Sequence, residues 1–169
     1  MEGEFFVFIN VKQAAQFGHV GWGFRLEEDR YMFGATDHLY RHHDMDLPAW
    51  IDYMSVPPGE HTDWWCGYGT RDEMLQAMSR STEHIWYHRC KSVLIAKPDP
   101  QKAEKAARLT GCSGWTVLTN NCVQQSYEIV QAYGAETIIP NPWKNPFNLI
   151  PRVWFNSFPG TVIELTREA

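Results

Sequence analysis

Residues 116–134 read TVLTNNCVQQSYEIVQAYG. An apolar run, Thr116-Val117-Leu118, ends in Thr119-Asn120-Asn121, and Cys122 follows. From there apolar residues recur at helical spacing until Gly134, a helix-ending residue. Asn120 or Asn121 is a good N-cap, which puts Cys122 in the first helical turn. Cys122, Ser126, Ile129 or Val130, and Tyr133 then share one face. That face is expected to pack inward on a sheet, with Cys122 at its exposed end. A thiol there meets unpaired N–H groups and the positive end of the helix dipole, which favour a thiolate and can hydrogen-bond a developing oxyanion. The competing reading is a buried cysteine that merely begins a helix.

A nucleophilic thiol needs a base, most often His. His19 is the candidate. It opens a strand within Gly18-His19-Val20-Gly21-Trp22-Gly23, and the glycines leave room for close approach of another element. A third, polar residue would orient the imidazole. Strands at 18–26 and 31–36 form a hairpin, so the residue facing His19 depends on the turn. A two-residue turn at Glu27-Glu28 puts Thr36 there, a three-residue loop Asp37, and a four-residue loop His38. Asp37 and His38 are the chemically useful choices, and a one-residue slip decides between them.

These two stretches together resemble known proteins. Residues 116–134 are similar to the cysteine segment of lecithin:retinol acyltransferase-like proteins, which has the form L-L-T-N-N-C-E-H-F-V and ends shortly afterwards in Y-G. Residues 18–24 resemble the H-V-G-I-Y strand shared by that group and the NlpC-like papain-fold hydrolases. His19 precedes Cys122, the circularly permuted order of the acyltransferase-like group. The resemblance implies an α+β, permuted papain-like (NlpC-like) fold, with an antiparallel sheet packed against the helix that carries the nucleophile. It allows a carboxylate or a His as third residue. Val123-Gln124-Gln125 stands where the family has Glu-His-Phe.

The rest of the chain fits one domain over 1–169. A strand is expected at 4–12. Residues 37–69 read as an irregular insertion, with a short helix near 48–54 and with Trp50, Trp64 and Trp65 as a candidate lid or substrate wall. Thr70-Arg71-Asp72-Glu73 is a capping box. Asp99-Pro100 opens a helix that stops at Gly111. Residues 85–96, 115–118, 137–139, 152–155 and 161–165 read as extended.

Composition narrows the function. Hydrophobic residues make up 44% and charged residues 21%, a globular rather than a disordered balance. The net charge of −5 comes with no basic block, which argues against nucleic acid. No stretch approaches a membrane span. The acidic start MEGE is unlike a signal peptide, so the expected location is cytoplasmic, with non-Sec export as an effector left open. Cys66, Cys90, Cys112 and Cys122 form no C-x-x-C pair, and disulfides are not expected.

The leading expectation is therefore a cysteine hydrolase (peptidase or amidase) or thiol acyltransferase, working on a peptide, amide or acyl-ester substrate through a thioester, without a cofactor. The alternative is a non-catalytic binding module on the same fold. A metal reading, from His42-His43-Asp44 or from Glu83-His84 with His88 and Cys90, ranks below both, because no ligand pairs have zinc-site spacing; no metal is expected.

Overall fold

The computed structural model describes residues 2–13, 16–37, 55–59, 64–80 and 86–166. The architecture is α+β: a six-stranded antiparallel sheet and, among the described residues, four helices. The strands are β1 (Gly3–Asn10), β2 (His19–Glu27), β3 (Arg30–Thr36), β4 (Ser55–Val56), β5 (Trp64–Gly69), β6 (Arg89–Ile95), β7 (Trp115–Thr116) and β8 (Val162–Glu164). The main sheet runs β5-β3-β2-β1-β6-β8, and β4 pairs with β7 apart from it.

The sequence of β1, GEFFVFIN, explains its central place. Successive side chains on a strand point to opposite faces, and every residue of β1 is buried. Phe5, Val7 and Ile9 enter one apolar cluster; Phe6 and Phe8 enter another. Each phenyl ring removed from water contributes about 2 kcal/mol, so a strand apolar on both sides belongs in the middle.

Each cluster is closed by helices. α1 (Arg71–Arg80) lays Met74 and Met78 on the Phe6 and Phe8 side. Its start is the expected capping box: Thr70 N–H donates to Glu73 Oε2 at 2.7 Å, and Glu73 N–H donates to Thr70 Oγ1 at 3.3 Å. The other side is covered by α2 (Pro100–Thr110), α3 (Cys122–Ala132) and α4 (Pro151–Ser157). Asp99 caps α2, accepting from Lys102 N–H at 3.0 Å. Ser126, Ile129, Val130 and Tyr133 all point inward. Gly134 ends α3 with φ 98°, where a side chain would be strained and would sit 2.7 Å from Lys97 O.

Three expectations change. Residues 64–69 are not part of a loop: they form β5, which pairs along β3 from Tyr31–Gly69 to Thr36–Trp64. WWCGYG hides this because an edge strand is half-buried throughout and shows no clean alternation. Residues 152–155 are helical rather than extended, because Pro151 starts α4 at a position where its missing N–H costs nothing. Residues 137–139 are a turn rather than an extended segment. The short helix expected at 48–54 lies outside the described residues. No helix among the described residues is long and apolar enough to cross a membrane.

Candidate active site

Cys122 is the first residue of α3, and Asn121 is its cap. Asn121 Oδ1 accepts from Val123 N–H at 2.9 Å and from Gln124 N–H at 3.2 Å. Gln124 Oε1 in return accepts from Asn121 N–H at 2.8 Å, which completes a capping box. Asn121 Nδ2 donates to Val117 O and to Leu149 O, at 2.9 and 3.0 Å, so the cap is fastened on both sides. Gln125 N–H closes the first helical bond on Asn121 O at 3.0 Å. That leaves the Cys122 N–H, for which no acceptor occurs among the described residues. It points from the positive end of the helix, beside the thiol. The thiol is not at an exposed end as expected. Cys122 is 4% exposed, because the loop before α3 and the 3₁₀ turn Pro146–Leu149 both fold over the cap.

His19 is the first residue of β2, and Gly18 feeds the chain into it at φ 91°. Its Nε2 lies 3.1 Å from Asp37 Oδ1 in a buried contact. Register decides this pairing. The turn itself is two residues, Glu28-Asp29, but a bulge between Arg25 and Glu27 shifts the ladder by one. Upstream of the bulge the partners run Arg25–Tyr31 to Trp22–Gly34, and the same register carried on faces His19 with Asp37. Thr36 is buried but is not the partner. His38 lies outside the described residues.

Asp37 is fully buried, and a buried carboxylate must be met by donors. Tyr87 OH donates to the same Oδ1 at 2.8 Å, and Trp65 Nε1 donates to Oδ2. The Tyr87 ring stacks on the imidazole, with centroids 6.0 Å apart and planes at 26°. Burial by itself would push the His19 ring toward neutrality. The nearby Cys122 sulfur and the Asp37 carboxylate outweigh it and raise His19 to about 10. With Nε2 on Asp37, Nδ1 is the nitrogen left for the thiol. Tyr87 is pushed well above the usual phenol range by burial first and by Asp37 second, so it stays a neutral donor.

Tyr87 is not legible as a site residue in the sequence, and Trp65 is legible only as a lid or substrate wall. The signal closest to them is Gly21. A Cβ there would lie 2.7 Å from Met78 Cε and 3.0 Å from Tyr87 Cζ, so Gly21 is the space in which Tyr87 stands beside His19. Trp65 is expected in a lid or substrate wall. Instead its indole reaches into the site, while the Trp64 ring packs over Gly111; Trp50 lies outside the described residues.

The other thiols differ. Burial raises Cys90 to about 12 and also raises Cys66, while Cys112 is exposed. Among the described residues no three His, Cys, Asp or Glu side chains gather as a metal site needs; His42, His43, Asp44, Glu83 and His84 lie outside them.

In comparisons with known proteins, no family model, no curated protein and no solved structure matches the chain.

Proposed function

We propose that the chain is a thiol hydrolase (peptidase or amidase) or acyltransferase on a permuted papain-like scaffold, with Cys122 as nucleophile, His19 as acid and base, and Asp37 as the residue that orients His19. One observation carries the reading. A single imidazole is held at Nε2 by a buried carboxylate, 3.1 Å away, and lies near enough to a helix-start cysteine for its sulfur to raise the ring's pKa. A core histidine needs neither partner. The order of elements also supports the scaffold: the histidine strand lies inside an antiparallel sheet and precedes the cysteine helix packed on it.

In the proposed reaction His19 takes the proton of the Cys122 thiol, and the sulfur attacks the carbonyl carbon of an amide or ester. A C–S bond forms, and the carbonyl electron pair moves to oxygen, where the Cys122 N–H receives it. The tetrahedral species collapses, the C–N or C–O bond breaks, and the His19 imidazolium gives its proton to the leaving group. A thioester remains on Cys122. Neutral His19 then takes a proton from water, or from an acceptor amine or hydroxyl. The acceptor attacks the thioester, the C–S bond breaks, and the proton on His19 returns to the Cys122 sulfur. Water makes the protein a hydrolase; another acceptor makes it a transferase.

The test is mass spectrometry of the intact chain after incubation with a panel of amides and esters. A mass increase mapped to Cys122, absent in Cys122→Ala, supports the reading. No adduct and no turnover with any member, or an adduct on Cys112 alone, favours a non-catalytic binding module on the same scaffold.

A further inference from the structure

The geometry points to Tyr87, assisted by Trp65, as a positioning residue that tempers the hold of Asp37 on His19, so that the imidazolium can release its proton to a leaving group. The inference rests on the Cys–His reading above.

The argument starts from one oxygen. Asp37 Oδ1 accepts from His19 Nε2 at 3.1 Å and from Tyr87 OH at 2.8 Å, so the neutral phenol holds the shorter contact. Oδ2 accepts from Trp65 Nε1. Donors to a carboxylate stabilise its charge and make it a weaker base. An ionised carboxylate wholly out of water, facing a buried imidazolium with nothing else to donate to it, would grip the proton hard. An acid catalyst works best when its proton is neither lost nor locked at the working pH. Two aromatic donors on the same carboxylate act in the required direction.

Tyr87 is also placed to do this reproducibly. Its N–H donates to Met78 O at 2.9 Å, its ring packs on Phe8, and Gly21 leaves it room against β2. Among the described residues, the charged and titratable groups that face His19 are Asp37 after β3, Tyr87 before β6 and Cys122 on α3. Of these, Tyr87 touches both the ring of His19 and the carboxylate that orients it.

Tyr87→Phe removes only the hydroxyl and keeps the ring stack; Trp65→Phe removes only the second donor. Three readouts on the full chain separate tuning from mere support: the titration midpoint of the His19 ring by NMR, alkylation of Cys122 by iodoacetamide, and turnover of an amide found to acylate Cys122. Alkylation needs a sulfur nucleophile but no proton donor to the leaving group. The expected result in both variants is a midpoint raised by about half a pH unit or more, alkylation within about twofold of wild type, and amide turnover down about tenfold. An unmoved or lowered midpoint overturns the inference. So does a parallel loss of alkylation, turnover and melting temperature, which marks a purely structural role. Should Tyr87→Phe not fold, Trp65→Phe carries the same expectation. If the wild type acylates nothing, the catalytic reading fails by itself, and the His19 midpoint in the two variants still decides whether Tyr87 and Trp65 temper the pair.

Discussion

Asp37→Asn tests the centre of the site at nearly constant shape. Among the described residues, three donors converge on the carboxylate: His19 Nε2, Tyr87 OH and Trp65 Nε1. An amide offers one oxygen and one NH2 group, so at least one donor then faces another donor. The charge that faces His19 also disappears. Raising His19 from 6.5 to about 10 corresponds to roughly 5 kcal/mol, shared between Cys122 and Asp37 against the opposing cost of burial. Breaking a buried pair by removing one partner costs about 3–5 kcal/mol. The lower end applies here, because His19 can shed its proton once Asp37 is neutral. A loss of about 3 kcal/mol leaves a chain of this length folded, with a melting temperature lower by roughly 6–12 °C. The kinetic loss should be larger than stability suggests. The Asn NH2 can donate to Nε2, which fixes the neutral ring with its proton on Nδ1, toward the thiol, where an acceptor is needed. A drop on the order of 10⁴-fold in acylation is expected from a wrong tautomer. Calorimetry gives the first quantity, and the time course of the Cys122 adduct gives the second. Acylation within threefold of wild type, at an unchanged His19 midpoint, would refute the assignment of Asp37.

Two further perturbations probe the supports of the site. Gly21→Ala puts a methyl 2.7 Å from Met78 Cε, 3.0 Å from Tyr87 Cζ and 3.1 Å from Gly34 O. The Met78 methyl can swing away, but Tyr87 cannot move without drawing its hydroxyl off Asp37, so a loss of about 1–3 kcal/mol and slower acylation are expected; a wild-type melting curve and rate would count against the packing argument. The pH dependence follows from His19, whose folded value of about 10 stands above its ordinary 6.5. A raised value means the folded state holds the proton more tightly. The stabilisation is therefore complete below pH 6.5 and is lost as pH rises from 6.5 through about 10. His19→Gln should flatten that alkaline slope in a series of thermal melts, and an equal slope in the variant assigns it to other groups.

What could be read from sequence alone divides along the range of the interactions. The start of α3, the capping box at Thr70, the Asp99 cap and the glycine stop at Gly134 all depend on neighbours within a few residues, and the chain spells them out. The partner of His19 does not. It turns on a one-residue bulge between Arg25 and Glu27, and the stretch Leu26-Glu27-Glu28-Asp29 carries no glycine or Asn-Gly signal that would announce the turn type. Tyr87 and Trp65 were further out of reach. They stand 50 and 28 residues from the aspartate they hold, and an aromatic side chain in a strand-like run reads first as core. Only the glycine at position 21 hinted that something large had to stand close to the histidine strand.

The Val123-Gln124-Gln125 stretch is where the chain departs from the acyltransferase-like segment it resembles, and the structure gives that departure a physical account. Val123 is fully buried in the core. Gln124 closes the capping box on Asn121 N–H and sends its amide to Leu118 O at 3.2 Å. Gln125 donates to Gly114 O at 2.8 Å, which ties the helix to the loop that leads into it. Both glutamines are thus occupied in fixing the backbone on either side of Cys122. Gln125 Oε1 and, one turn beyond the thiol, Ser126 Oγ are buried with no partner among the described residues, a cost that a site built only for stability would shed. The departure therefore bears on how Cys122 and the backbone beside it are held.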